Sequence, residues 1–345
     1  MNPTKKPGQK NGVVTLKAVA HYVGLTPGTV SAVLNDAPSA RSIPQDTKER
    51  IHAAAKQLNY RPNFFARTLR NKRTYTIGVI TEEIGDSYGA AVISGIEQLL
   101  RKNGYFFLTV AHRHDPELVS RYSQILSERG VEGIITVDTK VQESPALPTV
   151  AVAGHKKLKG ITNIVLDHDR AAVLALNHLK SLNHEHIAFM KGGPFSSDSE
   201  ERWASICRVA GESGIKIDPQ LMVYFDKEDP TPMAGYPLMK QLLARKVRFT
   251  ALFAYNDLSA IGAIRALKEE GLRIPQDVSV MGFDDIPGAA FHMPSLTTVR
   301  QPLTRMGEVA AQSLLQRIED NKEFPAEIAV EPELVVREST GPAPG

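Results

Sequence analysis

An alternation of short β-rich runs with longer amphipathic stretches, beginning near Tyr75, is the feature that most constrains how this chain folds. Each run is rich in Val, Ile, Phe and Thr, which favour strands, and is followed by helical periodicity. The first series predicts strands at TIGVI (76–80), YFFLTV (105–110), GIITV (133–137) and PTVAVA (148–153), with helices near 88–103 and from Asp115.

A second series repeats the pattern. It predicts strands at NIVL (163–166), HIAFM (186–190), 221–225, TALFAY (250–255) and VSVMGF (278–283), with helices near 169–182, 199–213, 232–245 and 257–270. Strand–helix alternation favours parallel sheets with helices on both faces, and two series favour two α/β lobes with a cleft between them. Because ligands of open α/β sheets bind beyond the carboxyl ends of the strands, we expect the loops after the strands to line that cleft.

The first 60 residues instead predict three short helices. Thr15 caps LKAVAHYV, which ends at Gly24, and Thr26 caps PGTVSAVLN, while a third helix runs from about Pro44 to Leu58. Two short helices joined by a glycine turn and covered by a third form a helix-turn-helix, whose second helix can enter the DNA major groove.

Charge is distributed unevenly along the chain. Residues 1–75 hold 13 Lys and Arg against 3 Asp and Glu, whereas the remainder holds 28 against 35. A basic segment on a mildly acidic body suggests that one end meets a polyanion, although a solvated basic surface would give the same balance.

Several other classes of protein find little support. Residues His112, His114, His184, His186 and the triplet 167–169 lack a zinc-ligand spacing, and no P-loop, G-x-G-x-x-G after a strand, or G-x-S-x-G occurs. We therefore expect no cofactor, no metal and no enzyme activity. The lone Cys207, the polar start and the lack of a ~20-residue apolar run predict a cytoplasmic protein without a membrane span.

Many segments together carry a family resemblance. VTLKAVAHYVGLTPGTVSAVLN, LNYRPNFFARTL, RTYTIGVI, GVEGIITV, HIAFMKGGP, AYNDLSAIGAIRALKEEGLRIPQDVSVMGFDD, PSLTTVRQP and ELVVREST follow one another over residues 13–340. In this order they resemble the LacI/GalR family of bacterial transcriptional regulators. The resemblance implies an all-α helix-turn-helix headpiece joined to an α/β, two-lobed, periplasmic-binding-protein-like body with parallel sheets, the lobes being crossed by a few strands.

The resemblance also sets boundaries and partners. We expect a flexible tail (1–12), a DNA-binding domain (13–60), a hinge (61–74), an effector-binding and dimerisation domain (75–340) and a tail (341–345). The implied function is a repressor whose affinity for a palindromic operator is controlled by a small-molecule effector, a sugar or other small metabolite. The implied assembly is a homodimer, possibly a tetramer, with no membrane partner.

In such regulators the hinge becomes helical on operator DNA and inserts a leucine into the minor groove, and that leucine is Leu69 here. Arg67 and Arg70 lie beside it, where the negative potential of a narrow groove attracts them. The alternative is that Leu69 packs in a linker. The hinge residues predicted to contact DNA are Asn63, Ala66, Arg67, Leu69 and Arg70.

The recognition helix departs from the family pattern. Pro27, Gly28 and Ala32 stand where relatives usually carry side chains that read base edges. We expect readout by Thr26, Thr29 and Ser31, apolar contact of Pro27 or Ala32 with a thymine methyl, and a larger share for phosphate and minor-groove contacts. The headpiece residues predicted to contact DNA are Thr15, Thr26, Pro27, Gly28, Thr29, Ser31, Ala32 and Asn35. Thr15, Asn35 and Asn63 are candidate phosphate contacts, and each could instead be a cap or turn residue.

For the cleft, the resemblance implies that Asp257 hydrogen-bonds effector hydroxyls and that Arg202 grips its polar groups, unless the two form a structural ion pair between the lobes. The other residues predicted to line the pocket are Asp86, Tyr88, Ser196, Asp198 and Phe291. Gly154 and His155 replace a polar pair common in relatives, which puts a plain sugar effector in doubt. His112 and His114 could contact an anionic or aromatic ligand or be exposed to solvent.

Two hypotheses compete with that of an effector-controlled repressor. The chain could be a small-molecule binding protein of the periplasmic type, or a regulator whose body binds a partner protein.

Overall fold

A computed structural model describes residues 14–35, 37–61, 73–143, 146–154, 156–193, 196–225 and 232–345. The chain divides into two compact units, Met1–Arg73 and Thr74–Gly345, called here the headpiece and the body.

The described headpiece is all-helical. Its elements are α1 (Leu16–Val23), α2 (Pro27–Leu34), a 3-10 turn (Pro38–Ser42) and α3 (Gln45–Gln57). Helix α1 ends at Gly24, whose φ of 68° lies in the left-handed region that glycine adopts without steric cost. Apolar side chains of the three helices form one small core, in which Val19, Val30 and Ile51 are fully buried. The predicted three-helix pattern agrees with these bounds to within one residue.

The described part of the body contains two six-stranded sheets, each with helices on both faces. The first has the order β11-β5-β4-β3-β1-β2 and is parallel throughout. Its strands are β1 (Thr76–Thr81), β2 (Phe106–Ala111), β3 (Gly133–Val137), β4 (Thr149–Val152), β5 (Ile161–Leu166) and β11 (Glu327–Val330).

The second sheet has the order β12-β10-β9-β8-β6-β7, parallel except for the pairing of β12 with β10. Its strands are β6 (Ile187–Lys191), β7 (Met222–Tyr224), β8 (Ala251–Phe253), β9 (Ser279–Asp284), β10 (Thr297–Arg300) and β12 (Glu333–Val335). The body helices are α4 (Ser87–Lys102), α5 (Pro116–Glu128), α6 (His168–Ser181), α7 (Ser197–Glu212), α8 (Pro232–Ala244), α9 (Asp257–Glu269), α10 (Pro287–Phe291) and α11 (Leu303–Asp320).

Each sheet with its helices forms one lobe of the body. Along the described residues the chain passes between the lobes three times: after β5, after β10 and between β11 and β12. The prediction that β5 (163–166 in the sequence) opens the second lobe is wrong, because β5 pairs with β4 and β11 in the first sheet. Its periodicity resembles that of any buried parallel strand and cannot say which sheet it joins. Helix α11 returns to the first lobe, where Met306, Ala310 and Leu314 pack in the same core as Val92 and Ile96 of α4.

Candidate functional site

Helix α2 of the headpiece begins with a side-chain cap. The Oγ1 atom of Thr26 accepts a hydrogen bond from the backbone N–H of Thr29 at 3.2 Å, and the two hydroxyl oxygens lie 2.9 Å apart. Pro27 occupies the first turn, where its missing N–H costs nothing. The exposed start of the helix therefore presents Thr26, Pro27 and Gly28 to the surroundings, with the Thr26 hydroxyl already holding the helix end.

One predicted DNA contact is corrected by the structure. Ala32 is 5% exposed and belongs to the headpiece core with Val30 and Val33. The 3-10 turn Pro38–Ser42 packs against α2, and its Ala40 joins the same core, so the Ala32 methyl lies inside the headpiece and cannot meet a thymine methyl. Thr29 and Ser31 remain partly exposed.

Two candidate phosphate contacts also support local structure. Thr15 caps α1 by accepting a hydrogen bond from the Ala18 backbone N–H at 3.3 Å, and the Nδ2 of Asn35 donates to the Ser31 carbonyl at 2.8 Å. Both side chains are exposed, so phosphate contact stays a prediction for them. The predicted hinge residues Asn63, Ala66, Arg67, Leu69 and Arg70 lie outside the described residues.

The body site is built around Arg202 on α7, a buried guanidinium with three kinds of contact. It donates to Oδ2 of Asp198 at 2.6 Å and to the Tyr255 carbonyl at 2.8 Å, and its Cζ lies 3.7 Å from the Phe283 ring centroid. Burial lowers the pKa of Arg202, but the neighbouring Asp198 and Asp284 carboxylates raise it above its ordinary value. Arg202 is thus a fixed cation on the wall of the second lobe.

Asp198 links two helices of that wall, because its other carboxylate oxygen lies 2.9 Å from the Nε2 of His168 at the start of α6. Ser196, which caps α7, also reaches the first lobe, since its hydroxyl donates to Oδ1 of Asp138 at 3.1 Å. Asp138 directly follows β3 and has a φ of 42°. The predicted pocket residues Ser196 and Asp198 therefore lie where the two lobes meet.

Asp284 completes this wall, and sequence reasoning missed it. It is the last residue of β9, with a φ of 107°, and its Oδ1 accepts a hydrogen bond from the Gln301 Nε2 at 2.7 Å. Burial above all, with help from the nearby Asp198 and Asp86 carboxylates, raises the pKa of Asp284 to about 7, although Arg202 and the Gln301 amide oppose the rise. Its position at the carboxyl end of a predicted strand, in MGFDD, is the signal that could have identified it.

The expectation for Asp257 is wrong. Its Oδ1 accepts from the Thr298 hydroxyl at 2.6 Å and its Oδ2 from the Ile286 backbone N–H at 2.8 Å. The side chain is fully buried and forms no ion pair with Arg202. Burial raises its pKa well above the ordinary value, with the Asp284 carboxylate adding to the rise. Asp257 therefore ties the start of α9 to β10 and to the loop after β9, inside the second lobe.

The first lobe contributes Asp86 and Tyr88. Asp86 caps α4 by accepting from the Gly89 backbone N–H at 2.7 Å, and burial raises the pKa of its carboxyl. The Tyr88 hydroxyl is buried and has no hydrogen-bond partner among the described residues. Burial, followed by the proximity of the Asp198, Asp138 and Asp284 carboxylates, raises the pKa of Tyr88 well above its ordinary value. Tyr88 therefore lies near Asp198 and Asp284 of the opposite lobe.

Phe291 and the two histidines are placed differently from the expectations. Phe291 is 87% exposed at the end of α10, which turns its Ala289 inward and leaves the phenyl ring on the open surface, so it provides no platform in the cleft. His112 is buried, with Nε2 3.2 Å from the Thr139 hydroxyl, and burial and the neighbouring His114 lower its pKa to about 4. His114 lies 2.5 Å from the Glu82 carboxylate. His155 lies outside the described residues.

Two other kinds of feature are absent from the described ranges. No group of three or more His, Cys, Asp and Glu side chains there could hold a metal ion. No helix there is both long and apolar enough to cross a membrane.

Comparison with known proteins gives matches along nearly the whole chain. Residues 15–63 match the family "Bacterial regulatory proteins, lacI family", and residues 176–340 match "Periplasmic binding protein-like domain". The HTH-type transcriptional repressor PurR of Haemophilus influenzae is 32% identical over 341 residues, covering 95% of this chain and 98% of the repressor. PurR of Erwinia tasmaniensis is also 32% identical, with coverages of 96% and 98%.

Solved structures show the same architecture. The Lac repressor dimer bound to operator and the anti-inducer ONPF has a TM-score of 0.85 and 26% identity, covering 96% of this chain and all of that one. The complex of the transcriptional regulator CelR with cellobiose has a TM-score of 0.68 and 26% identity, with coverages of 94% and 99%. A helix-turn-helix headpiece on a two-lobed body is thus common to this chain and to these regulators.

Proposed function

Because the chain belongs to the LacI family of bacterial regulatory proteins, we propose that its interlobe cleft binds a small effector whose occupancy sets the affinity of the headpiece for operator DNA. The chain is a ligand-controlled transcriptional repressor with a DNA-binding headpiece and an effector-binding body. The observation that carries the proposal is the meeting of Tyr88 and Asp138 of the first lobe with Ser196, Asp198 and Asp284 of the second.

The proposed effector contacts are Arg202, Asp284, Asp86, Tyr88, Asp198 and Ser196. Arg202 supplies a donor through its buried Nε, which has no hydrogen-bond partner among the described residues, and Asp284 supplies an acceptor. Both lobes contribute, so an effector that bridges them binds one lobe arrangement better than another. Such a difference in affinity is what shifts a conformational equilibrium, since equal affinity for both states shifts nothing.

The proposed partners follow from the relatives. Structures of the Lac repressor are described as a dimer on operator, which supports a homodimer on a palindromic operator for this chain. The relatives are transcriptional repressors, which supports a body that binds its effector and releases it unchanged rather than an enzyme, working on DNA in the cytoplasm. We also propose that the domains of the chain end at residues 12, 60, 74 and 340.

The test begins with operator selection from random double-stranded DNA by the full chain. A thermal-shift screen of sugars, nucleosides, amines and amino acids is then repeated with operator affinity as the readout. The proposal expects a selected palindrome and at least one compound that both stabilises the body and changes operator affinity. A stabilising compound without effect on operator binding would contradict the coupling, and a chain that selects no sequence would contradict the DNA-binding assignment.

Replacing Leu69 with Ala is expected to weaken operator binding by roughly tenfold to a hundredfold, because the apolar wedge that unstacks a base step is lost. The plot of log affinity against log salt concentration separates this effect from charge. Leu69→Ala leaves its slope unchanged, whereas Arg70→Ala lowers it by about 1 if Arg70 contacts a phosphate. Unchanged operator affinity in Leu69→Ala would show that this leucine only packs in a linker.

The pH dependence of body stability provides a test of the Asp284 environment. The folded-state pKa of about 7 lies above the ordinary value of 3.8, so the folded body binds a proton at Asp284 that the unfolded chain has lost over this interval. The free energy of unfolding should therefore fall as pH rises from about 4 to about 7. Asp284→Asn should flatten this fall, while Asp277→Asn, at a partly exposed carboxylate paired with Arg273, should keep it. Denaturant unfolding at pH 5 and pH 8 gives the change in the free energy of unfolding for the wild type and for the two variants. An equal change in all three proteins would refute the raised pKa of Asp284.

A further inference from the structure

Two carboxyl groups of the cleft, those of Asp86 and Asp284, have no basic side chain as a direct partner among the described residues. Asp198 and Asp284 of the second lobe flank the buried Arg202, and Asp86 of the first lobe lies near Asp284. The Arg202 guanidinium pairs with Asp198 at 2.6 Å. Within the described ranges, neither Asp86 nor Asp284 forms an ion pair, because their hydrogen-bond donors are the Gly89 backbone and the Gln301 side-chain amide.

Gln301 provides a second and independent indication. Its side chain is 97% buried, its Nε2 donates to Asp284, and its Oε1 has no hydrogen-bond partner among the described residues. A buried acceptor without a donor is costly, and here it belongs to the same amide that holds the Asp284 carboxylate. The site therefore offers several acceptors, of which the Gln301 Oε1 has no donor among the described residues.

We propose that the cleft selects an effector carrying a protonated amino group, which Asp284, Asp86 and the Gln301 carbonyl oxygen would receive. An ammonium group has three N–H donors and no acceptor, and its positive charge offsets carboxylates that burial deprives of water. The Tyr88 side chain beside these carboxylates adds an aromatic surface of the kind that attracts cations. Anionic metabolites, such as carboxylates or phosphorylated sugars, are disfavoured by the same charges. This inference rests on the proposed function, since it names the ligand class of that cleft.

Matched compounds that share a skeleton and differ in charge test the proposal. The probes are glucosamine, glucose and glucuronate, and putrescine, 1,4-butanediol and succinate, titrated calorimetrically into the full chain without DNA. We expect an ammonium compound to bind about tenfold or more tightly than its neutral partner, since hydrogen bonds between charged groups are the stronger ones. Asp284→Asn should remove that preference, and Asp277→Asn, at a partly exposed position paired with Arg273, should retain it.

Three outcomes would overturn the inference: tighter binding of a neutral or anionic member, equal binding within each set, or no binding by either ammonium compound. None of these outcomes contradicts the proposed function. The proposed function is contradicted only if operator affinity remains constant across the wider metabolite screen. If that screen finds an effector without an amino group, the proposed function stands and only the inference about the ligand class is wrong.

Discussion

Replacing Arg202 with Met is expected to lower the free energy of unfolding of the body by about 3–5 kcal/mol and to abolish its response to effector. The guanidinium is 8% exposed, and it is the donor that Asp198 and the Tyr255 carbonyl use at 2.6 and 2.8 Å. Methionine keeps an apolar side chain against Phe283 but removes the positive charge beside the buried Asp198 carboxylate. Removing one partner of a buried ion pair is strongly destabilising, because the other charge stays buried without it. Denaturant unfolding can be followed by Trp203, the single tryptophan of the chain.

Arg208→Met is the matched control on the same helix. Arg208 pairs with Asp169 at the surface, where the side chains are 49% and 52% exposed, and solvent screens such pairs. Its loss should cost less than about 1 kcal/mol. Equal destabilisation by the two substitutions would show that the Arg202 network is no more than a surface ion pair in energetic terms.

A methyl group at Gly95 is expected to destabilise the first lobe by about 1–3 kcal/mol or more, since overpacked sites relieve strain only by moving backbone. Gly95 of α4 lies against the backbone carbonyl of Thr304 in α11, and Gly307 lies reciprocally against the carbonyl of Val92. A Cβ at either position would overlap a carbonyl oxygen, and neither helix can move without disturbing the core that Val92 and Met306 share. The measured quantity is the free energy of unfolding of Gly95→Ala.

Gly211→Ala in α7 is its control. Nothing lies within 4 Å of the added methyl group there, so the substitution should be neutral or should stabilise by up to about 0.5–1 kcal/mol, as alanine favours a helix over glycine. A Gly95→Ala protein as stable as the wild type would mean that α4 and α11 are not in close contact.

Periodicity and turn residues predicted much of the fold. The caps Thr15 and Thr26 and the glycine at position 24 set the headpiece helices, and most body strands lie within two residues of their predicted ends. The lobe to which β5 belongs could not be predicted in this way. Sheet membership depends on hydrogen bonds with β4 and with β11, which lies more than 150 residues later in the chain.

The site was predicted less completely than the fold, for a similar reason. Five of the predicted pocket residues do come together, namely Arg202, Asp86, Tyr88, Ser196 and Asp198. Asp257 was predicted and Asp284 was missed, because sequence position does not give the direction of a side chain. Asp257 starts a helix and turns inward to Thr298, whereas Asp284 ends a strand and lies beside Arg202. Ala32 was mispredicted for a related reason. It is buried because the 3-10 turn Pro38–Ser42 packs against α2, and that contact cannot be inferred from the sequence of α2 alone.

The most direct test of ligand-controlled DNA binding is the operator affinity of the full chain, measured by fluorescence anisotropy with and without a saturating effector from the screen. We predict a change of at least about tenfold for the wild type and for Asp277→Asn, and a loss of that change in Asp284→Asn, since coupling requires the cleft to distinguish two lobe arrangements. An operator affinity that the effector leaves unchanged in the wild type, or a full response in Asp284→Asn, would contradict the account.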